Sequence, residues 1–240
     1  MAVDEALAMR ASIIVEGTWR NASVPMNGIA NAAQHGHHVH AVVLAVPPEQ
    51  SRLGTADRYY EAVKSGDAAR WTPSSAHDQA VASLPSTVRA VAGDERVSRF
   101  TVMNRAGEVL FDQDGWTPDR ADAAVSAFQR GTARSWTSAE ANEWLRRYEQ
   151  LRGMHEQHTP NHPDARATWT QLGTHDHGVV TRHLDEAQHR EQMQRIRQAA
   201  SPGSMRERIA RAQREGPYVA PPTTAYDPRR QQGRDRGRGR

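Results

Sequence analysis

A chain of 240 residues with 37% hydrophobic content can hold one packed domain with appendages, and that low apolar share predicts that part of it stands outside the core. It has no cysteine for a disulfide framework, no apolar run near membrane-span length and no signal peptide with a charged start and apolar centre, so a cytoplasmic protein with no membrane contact is expected. The formal charge of +3 is uneven, because residues 201–240 hold ten arginines against four acids, a net +6 that leaves the first 200 residues at −3.

Ala2 to Arg10 reads as the end of a helix, with Val3, Ala6 and Leu7 on one side, and it has no N-cap. It leads into Ser12 to Arg20, SIIVEGTWR. Ile13, Ile14 and Val15 form a β-branched run without polar alternation, which predicts a parallel strand covered on both faces. The run stops at Glu16, Gly17 lets the backbone turn, and Thr18 and Arg20 follow. Three polar groups therefore cluster past the strand's carboxyl end, where open α/β sheets place their ligands.

A short helix from Gly28 to Gln34, ending at Gly36, separates this stretch from a second apolar run, Val39 to Val46. Strand, helix and strand in succession predict a right-handed crossover joining two parallel strands. Pro47-Pro48 opens a helix from Glu49 to Val63 that carries Arg58. A polar break at Gly66 leads to Arg70-Trp71-Thr72-Pro73, then to a helix from Ser75 to Ala92 that Pro85 should kink. Arg99 to Arg105 and Glu108 to Asp112 flank a turn at Asn104 to Gly107 and predict an antiparallel hairpin. Ala121, Ala124, Val125 and Phe128 mark one face of a helix from Pro118 to Arg134.

Thr137 and Glu140 make a capping box for a helix from Ser138 to Arg152, with Trp144, Leu145, Tyr148 and Leu151 on its apolar side. Beyond Met154 the expected order declines: a polar linker from His155 to Pro163, a charged helix from Val179 to Gln198 anchored by Leu184, Met193 and Ile196, and a tail too polar to fold. The predicted organisation is an α/β core over residues 1–134, a helical extension over 135–200 and a disordered basic tail over 201–240.

Arginine suits phosphoryl oxygens, because its planar fork offers paired donors and stays charged when desolvated. Arg58 and Arg70 flank the loop after the second strand, and with Glu16, Thr18 and Arg20 they point to phosphoryl transfer. Each arginine taken singly also fits a surface pairing with Asp57 or Asp67. His35, His37, His38 and His40 crowd the second strand, and His175, His177 and His183 recur later. Without cysteine or an adjacent acid they read as solvated histidines, and no metal site is expected. His77-Asp78 reads as capping and packing. The tail RRQQGRDRGRGR could track a nucleic-acid backbone or simply solubilise the chain.

Several motifs together resemble the zeta toxin family: IIVEGTWR, Val24-Pro25, the strand ending AVP at 45–47, LGTADRYY at 53–60, ARWTP at 69–73, SAHD at 75–78 and LPSTV at 84–88. The resemblance covers about residues 5–112 and keeps the family's order. It implies a P-loop kinase that phosphorylates the 3'-hydroxyl of the N-acetylglucosamine unit of UDP-N-acetylglucosamine, with ATP and magnesium as cofactors and an antitoxin as protein partner. On that resemblance Glu16, Thr18 and Arg20 hold the sugar nucleotide, and Arg58 and Arg70 contact the ATP phosphates and the transferring group. Gly28 stands where the family has a threonine in the sugar site.

The family's phosphate loop, G-x-x-x-x-G-K-[ST], and its aspartate base precede the stretch with which this chain begins. Lys64, the single lysine, follows Val63, and Arg58 stands where the loop's first glycine would be. The resemblance therefore predicts an N-terminally truncated core without its first strand and phosphate loop, inactive alone. The alternative is a non-catalytic protein that binds a sugar nucleotide through the residual pocket or nucleic acid through the Arg/Gly tail.

Overall fold

Apolar side chains at every second position give a strand with one buried face. In β1 (Val39–Leu44) Ala41 and Val43 point into the core, while Val42 and Leu44 are 40% and 51% exposed. A computed structural model, describing residues 2–159, 162–199, 206–207 and 210–211, places β1 at the edge of a three-stranded sheet of order β1-β2-β3. β1 runs parallel to β2 (Val97–Met103), with Ala41 opposite Phe100 and Leu44 opposite Met103. β2 runs antiparallel to β3 (Val109–Asp114), the predicted hairpin about Asn104 to Gly107.

Helices α1 (Ala2–Ala8) and α2 (Ser23–Gln34) precede the sheet, and α3 (Pro48–Ser65) and α4 (Ser74–Ala92) connect β1 to β2. Phe100 and Val102 of β2 pack with Val88 and Val91 of α4, Ile29 of α2, and Val125 and Phe128 of α5 (Arg120–Thr132). Each such side chain contributes about 1.5–3 kcal/mol by leaving water. One fully buried cation closes this core. Arg120 donates to the carbonyl oxygens of Ala92 (2.7 Å), Val97 (2.8 Å), Asp94 (2.8 Å) and Gly115 (2.6 Å). Burial lowers its pKa, and the charge of Asp94 opposes that shift.

A second core joins the helical extension to α3. Trp144, Tyr148 and Leu151 of α6 (Ser138–His158) pack with Leu53, Ala56 and Tyr60, and Leu172 and Val180 close the cluster. Leu172 opens a π-helical turn (Leu172–Asp176) between α7 (Pro163–Gln171) and α8 (His177–Ala199). The Trp144 indole N–H donates to Glu49 O at 3.0 Å, and Arg147 pairs with Asp57 and, at 3.0 Å, with Glu61. Residues Met1–His189 form one compact unit and Arg190–Arg240 a second. No helix among the described residues is long and apolar enough to cross a membrane.

Several expectations need correction. Ile13 to Val15 is not a strand: residues 11–19 have no regular structure, Ile14 is 93% exposed, and the crossover onto β1 does not form. An extended run becomes a strand only by pairing, and β1 pairs on one side alone among the described residues. The sheet is mixed, as the expected hairpin requires, with β1 and β2 its parallel pair, and β1 is covered on one face. The helix through Pro85 is unbroken. The linker expected at His155 begins as helix, since α6 runs to His158. Of the anchors expected in α8, Met193 and Ile196 are exposed, while Val180 and Ala187 are buried. The tail of residues 201–240, for which disorder was expected and nucleic-acid binding was one alternative, lies outside the described residues except at 206–207 and 210–211.

Candidate functional site

The stretch from Ser12 to Arg20 is shaped by its turn. Trp19 holds a left-handed conformation at φ 52°, which costs a non-glycine residue about 1–2 kcal/mol. Its half-buried indole packs against the first core and holds the stretch there. On either side, Glu16, Thr18 and Arg20 are exposed and line a cavity of 570 Å³, whose other walls include Leu7, Ile29 and His37. The structure thus gathers these three residues at one place. None has a hydrogen-bonding partner among the described residues, so all three side chains are open to a ligand. A hydrogen-bonding contact at 3.3 Å between His37 Nε2 and Leu7 O ties α1 to the same wall.

A second cavity, of 760 Å³, opens at the carboxyl end of β1, beside Val46 and Pro47 and the first turn of α3. Arg58, Arg105 and Arg134 line it, and Gly17 lines both cavities. Arg134 is engaged: it donates to Glu140 at 3.0 and 2.5 Å, and that interaction, outweighing burial, brings the Glu140 pKa down to about 2. Glu140 also completes the predicted capping box with Thr137. Arg58 and Arg105 have no partner among the described residues.

Arg70 is exposed and lines neither cavity. The next residue explains this. Trp71 is buried in the second core with its ring 4.8 Å from Tyr59, which fixes the segment there and leaves Arg70 at the surface.

Behind the 760 Å³ cavity lies a buried polar network. Arg52 donates to Asp176 at 2.8 Å and to Asp78 at 2.5 Å. His77 Nδ1 lies 3.1 Å from Asp78, and Nε2 lies 3.1 Å from the Ser51 hydroxyl, which faces the cavity. Burial lowers the His77 pKa against the pull of Asp78, so the imidazole is neutral near pH 7. Burial would raise Asp78, but hydrogen bonds from Arg52 and His77 outweigh it and the net shift is downward. His77 is therefore a buried bridge between α3 and α4, and no side-chain cap is present at the start of α4.

Two histidines near β1 each have one side-chain contact. His40 Nε2 lies 2.8 Å from Thr101 Oγ1, which gives its own proton to Asp112, so His40 is the donor. His35 Nδ1 lies 2.9 Å from Asn31 O. Among the described residues no three His, Asp or Glu side chains gather into a group able to hold a metal ion. Arg105, Arg134 and the Arg52–Asp176 pair escaped the sequence reading, although Arg105 stands in the predicted turn and SAHD contains two members of the network.

The chain thus combines a mixed α/β core with a cavity at the end of a parallel strand, Arg58 and Arg105 in it and a Glu-Gly-Thr-x-Arg turn on its border. The zeta toxin family model matches residues 1–115, a little under half of the chain. The chain is 34% identical to toxin zeta of Enterococcus hirae over 102 residues, 42% of this chain and 35% of that one. It is 28% identical to toxin PezT of Streptococcus pneumoniae serotype 4 over 116 residues, 48% of this chain and 46% of that one. The chain thus spans about a third to a half of these relatives. A solved structure of the PezAT chromosomal toxin-antitoxin system of Streptococcus pneumoniae aligns with a TM-score of 0.49 at 23% identity, covering 62% of this chain and 59% of that one.

Proposed function

We propose that this chain carries the substrate-binding face of a zeta-type toxin kinase and holds UDP-N-acetylglucosamine in the cavity of Glu16, Thr18 and Arg20. One observation carries the reading: Gly17, between Glu16 and Thr18, borders both that cavity and the one containing Arg58. A sugar nucleotide in the first cavity would therefore present its hydroxyls towards a phosphate-binding second. Glu16 accepts hydrogen bonds from ligand hydroxyls, Thr18 donates or accepts one, and the Arg20 fork matches a diphosphate. Arg58 neutralises charge on a transferring phosphoryl group, the main task in this chemistry.

ATP would supply the phosphoryl group, and the unpaired Arg58 fits its phosphate oxygens. No carboxylate group suited to magnesium gathers among the described residues, so no step is assigned to the metal. The 240 residues contain no G-x-x-x-x-G-K-[ST], so binding without turnover is the expected behaviour of this chain by itself. A toxin of this family also implies an antitoxin partner, a reading supported by the names of the relatives.

Calorimetric titration of the full chain with UDP-N-acetylglucosamine tests the reading. Saturable binding should weaken about 10-fold or more in Glu16→Ala and Arg20→Ala, as expected for hydrogen bonds to charged groups. Absence of binding by the unsubstituted chain, or equal binding by both variants, overturns it. Labelled phosphate from ATP should not appear on the sugar nucleotide above background.

A further inference from the structure

Arg105 stands in the tight turn between β2 and β3, and that turn is well determined. Asn104 Oδ1 accepts from the backbone N–H groups of Ala106 (3.0 Å) and Glu108 (2.9 Å), and Asn104 Nδ2 donates to Glu108 at 2.9 Å. Gly107 completes it at φ 84°, a conformation that favours glycine. From this platform the Arg105 side chain reaches across to α3 and lies over Gly54, so closely that a Cβ there would sit 3.0 Å from Arg105 Nη1. Gly54 is the flat seat on which the guanidinium rests. Arg58 follows four residues later on α3, on the same helix face, and lines the same 760 Å³ cavity.

Two cations therefore face one cavity, and neither has an ionic or hydrogen-bonding partner among the described residues. Arg134, the third arginine there, is satisfied by Glu140. Glu49 is the single carboxylate lining the cavity, beside the first turn of α3, where backbone N–H groups favour an added anion. Like charges held together repel unless a multivalent anion lies between them, and two guanidinium forks suit the oxygens of adjoining phosphates.

We propose that Arg105 is a phosphate-binding residue that stands one helical turn from Arg58 at the same cavity, so that the chain grips a polyphosphate with both guanidinium groups. This rests on the phosphoryl-handling reading above, but it makes a claim of its own. Arg105 binds, and Gly54 admits it.

Inorganic pyrophosphate is the probe, titrated into the full chain by calorimetry at low and moderate salt, with circular dichroism reporting that each variant is folded. Arg105→Ala and Arg58→Ala should each weaken pyrophosphate binding about 10-fold, and the affinity should fall as salt rises. Arg105→Lys should recover only part of the loss, since a lysine lacks the paired fork. Gly54→Ala should weaken binding several-fold without lowering the melting temperature, because alanine favours the helix while its methyl displaces the guanidinium.

The proposal is overturned if the unsubstituted chain shows no saturable pyrophosphate binding, if Arg105→Ala binds normally, or if Arg20→Ala abolishes pyrophosphate binding while Arg58→Ala does not, which would place the anion in the other cavity. Arg20→Ala that keeps pyrophosphate but loses UDP-N-acetylglucosamine marks failure of the sugar cavity alone.

Discussion

The segment Ile13–Val15 and strand β1 carry similar β-branched residues, yet they meet different fates. β1 is paired with β2 from Val39 to Leu44 and buries Ala41 and Val43, whereas Ile13, Ile14 and Val15 are 37%, 93% and 69% exposed. Backbone pairing and a core behind it hold β1; the neighbouring segment is held by Trp19 and by the elements around its cavity. The difference teaches that the two halves of the site differ in stiffness. The cavity of Arg58 is walled largely by the helices α3, α4 and α5 and their ends, and the cavity of Glu16, Thr18 and Arg20 borders a segment with no regular structure. A ligand in the latter cavity would therefore have to order backbone as well as side chains on binding, the larger entropic cost.

Removing what holds the stiff side should have the largest effect. Arg120→Ala strips donors from four carbonyl oxygens around β2 and α4 and should destabilise the chain by about 3 kcal/mol or more, read by chemical denaturation. Hydrogen exchange should then show β1 and β2 losing protection while residues 11–20, unprotected already, stay unchanged. A matched pair of truncations sharpens the contrast: Val43→Ala should cost about 2 kcal/mol, and Val15→Ala less than about 0.5 kcal/mol. Equal effects would mean that the segment at Ile13–Val15 is packed as β1 is.

A smaller effect concerns Glu140, the partner of Arg134 at the cavity that Arg58 lines. Its carboxyl falls from an ordinary 4.5 to about 2 in the folded chain. A depressed carboxyl contributes stability that is complete above its unfolded value and is lost as pH falls through the folded one. Glu140→Gln should therefore be less stable by about 1 kcal/mol at neutral pH, through the lost cap and a partly screened ion pair. The gap should close between about pH 4.5 and 2, as thermal melts across that range would show.

Local signals were legible in the sequence. The Asn104 to Gly107 turn, the Thr137–Glu140 box and the apolar run from Val39 each depend on neighbours in the chain, and each is found. The Ile13–Val15 run was misread because a strand needs a partner strand, and composition does not supply one. Leu184 of α8 packs on the second core as expected, but Val180 and Ala187, which share its face at ordinary helical spacing, were passed over for the larger Met193 and Ile196, which are exposed. The gathering of Glu16, Thr18 and Arg20 was readable from their closeness in sequence. The approach of Arg105 to α3 was not, since it depends on how a turn and a helix with no local relation are packed.

The Arg52–Asp176 pair has a practical consequence for anyone preparing the family-matched segment alone. Asp176 lies far beyond residue 115, and with it go the α6 and α8 side chains that cover Tyr60 and Trp71. A fragment ending near residue 115 would bare an aromatic surface and strand a guanidinium that now sits in the dark between two helices. Such a preparation should aggregate, and its ligand-binding behaviour would report on that damage rather than on the toxin-like half of the chain.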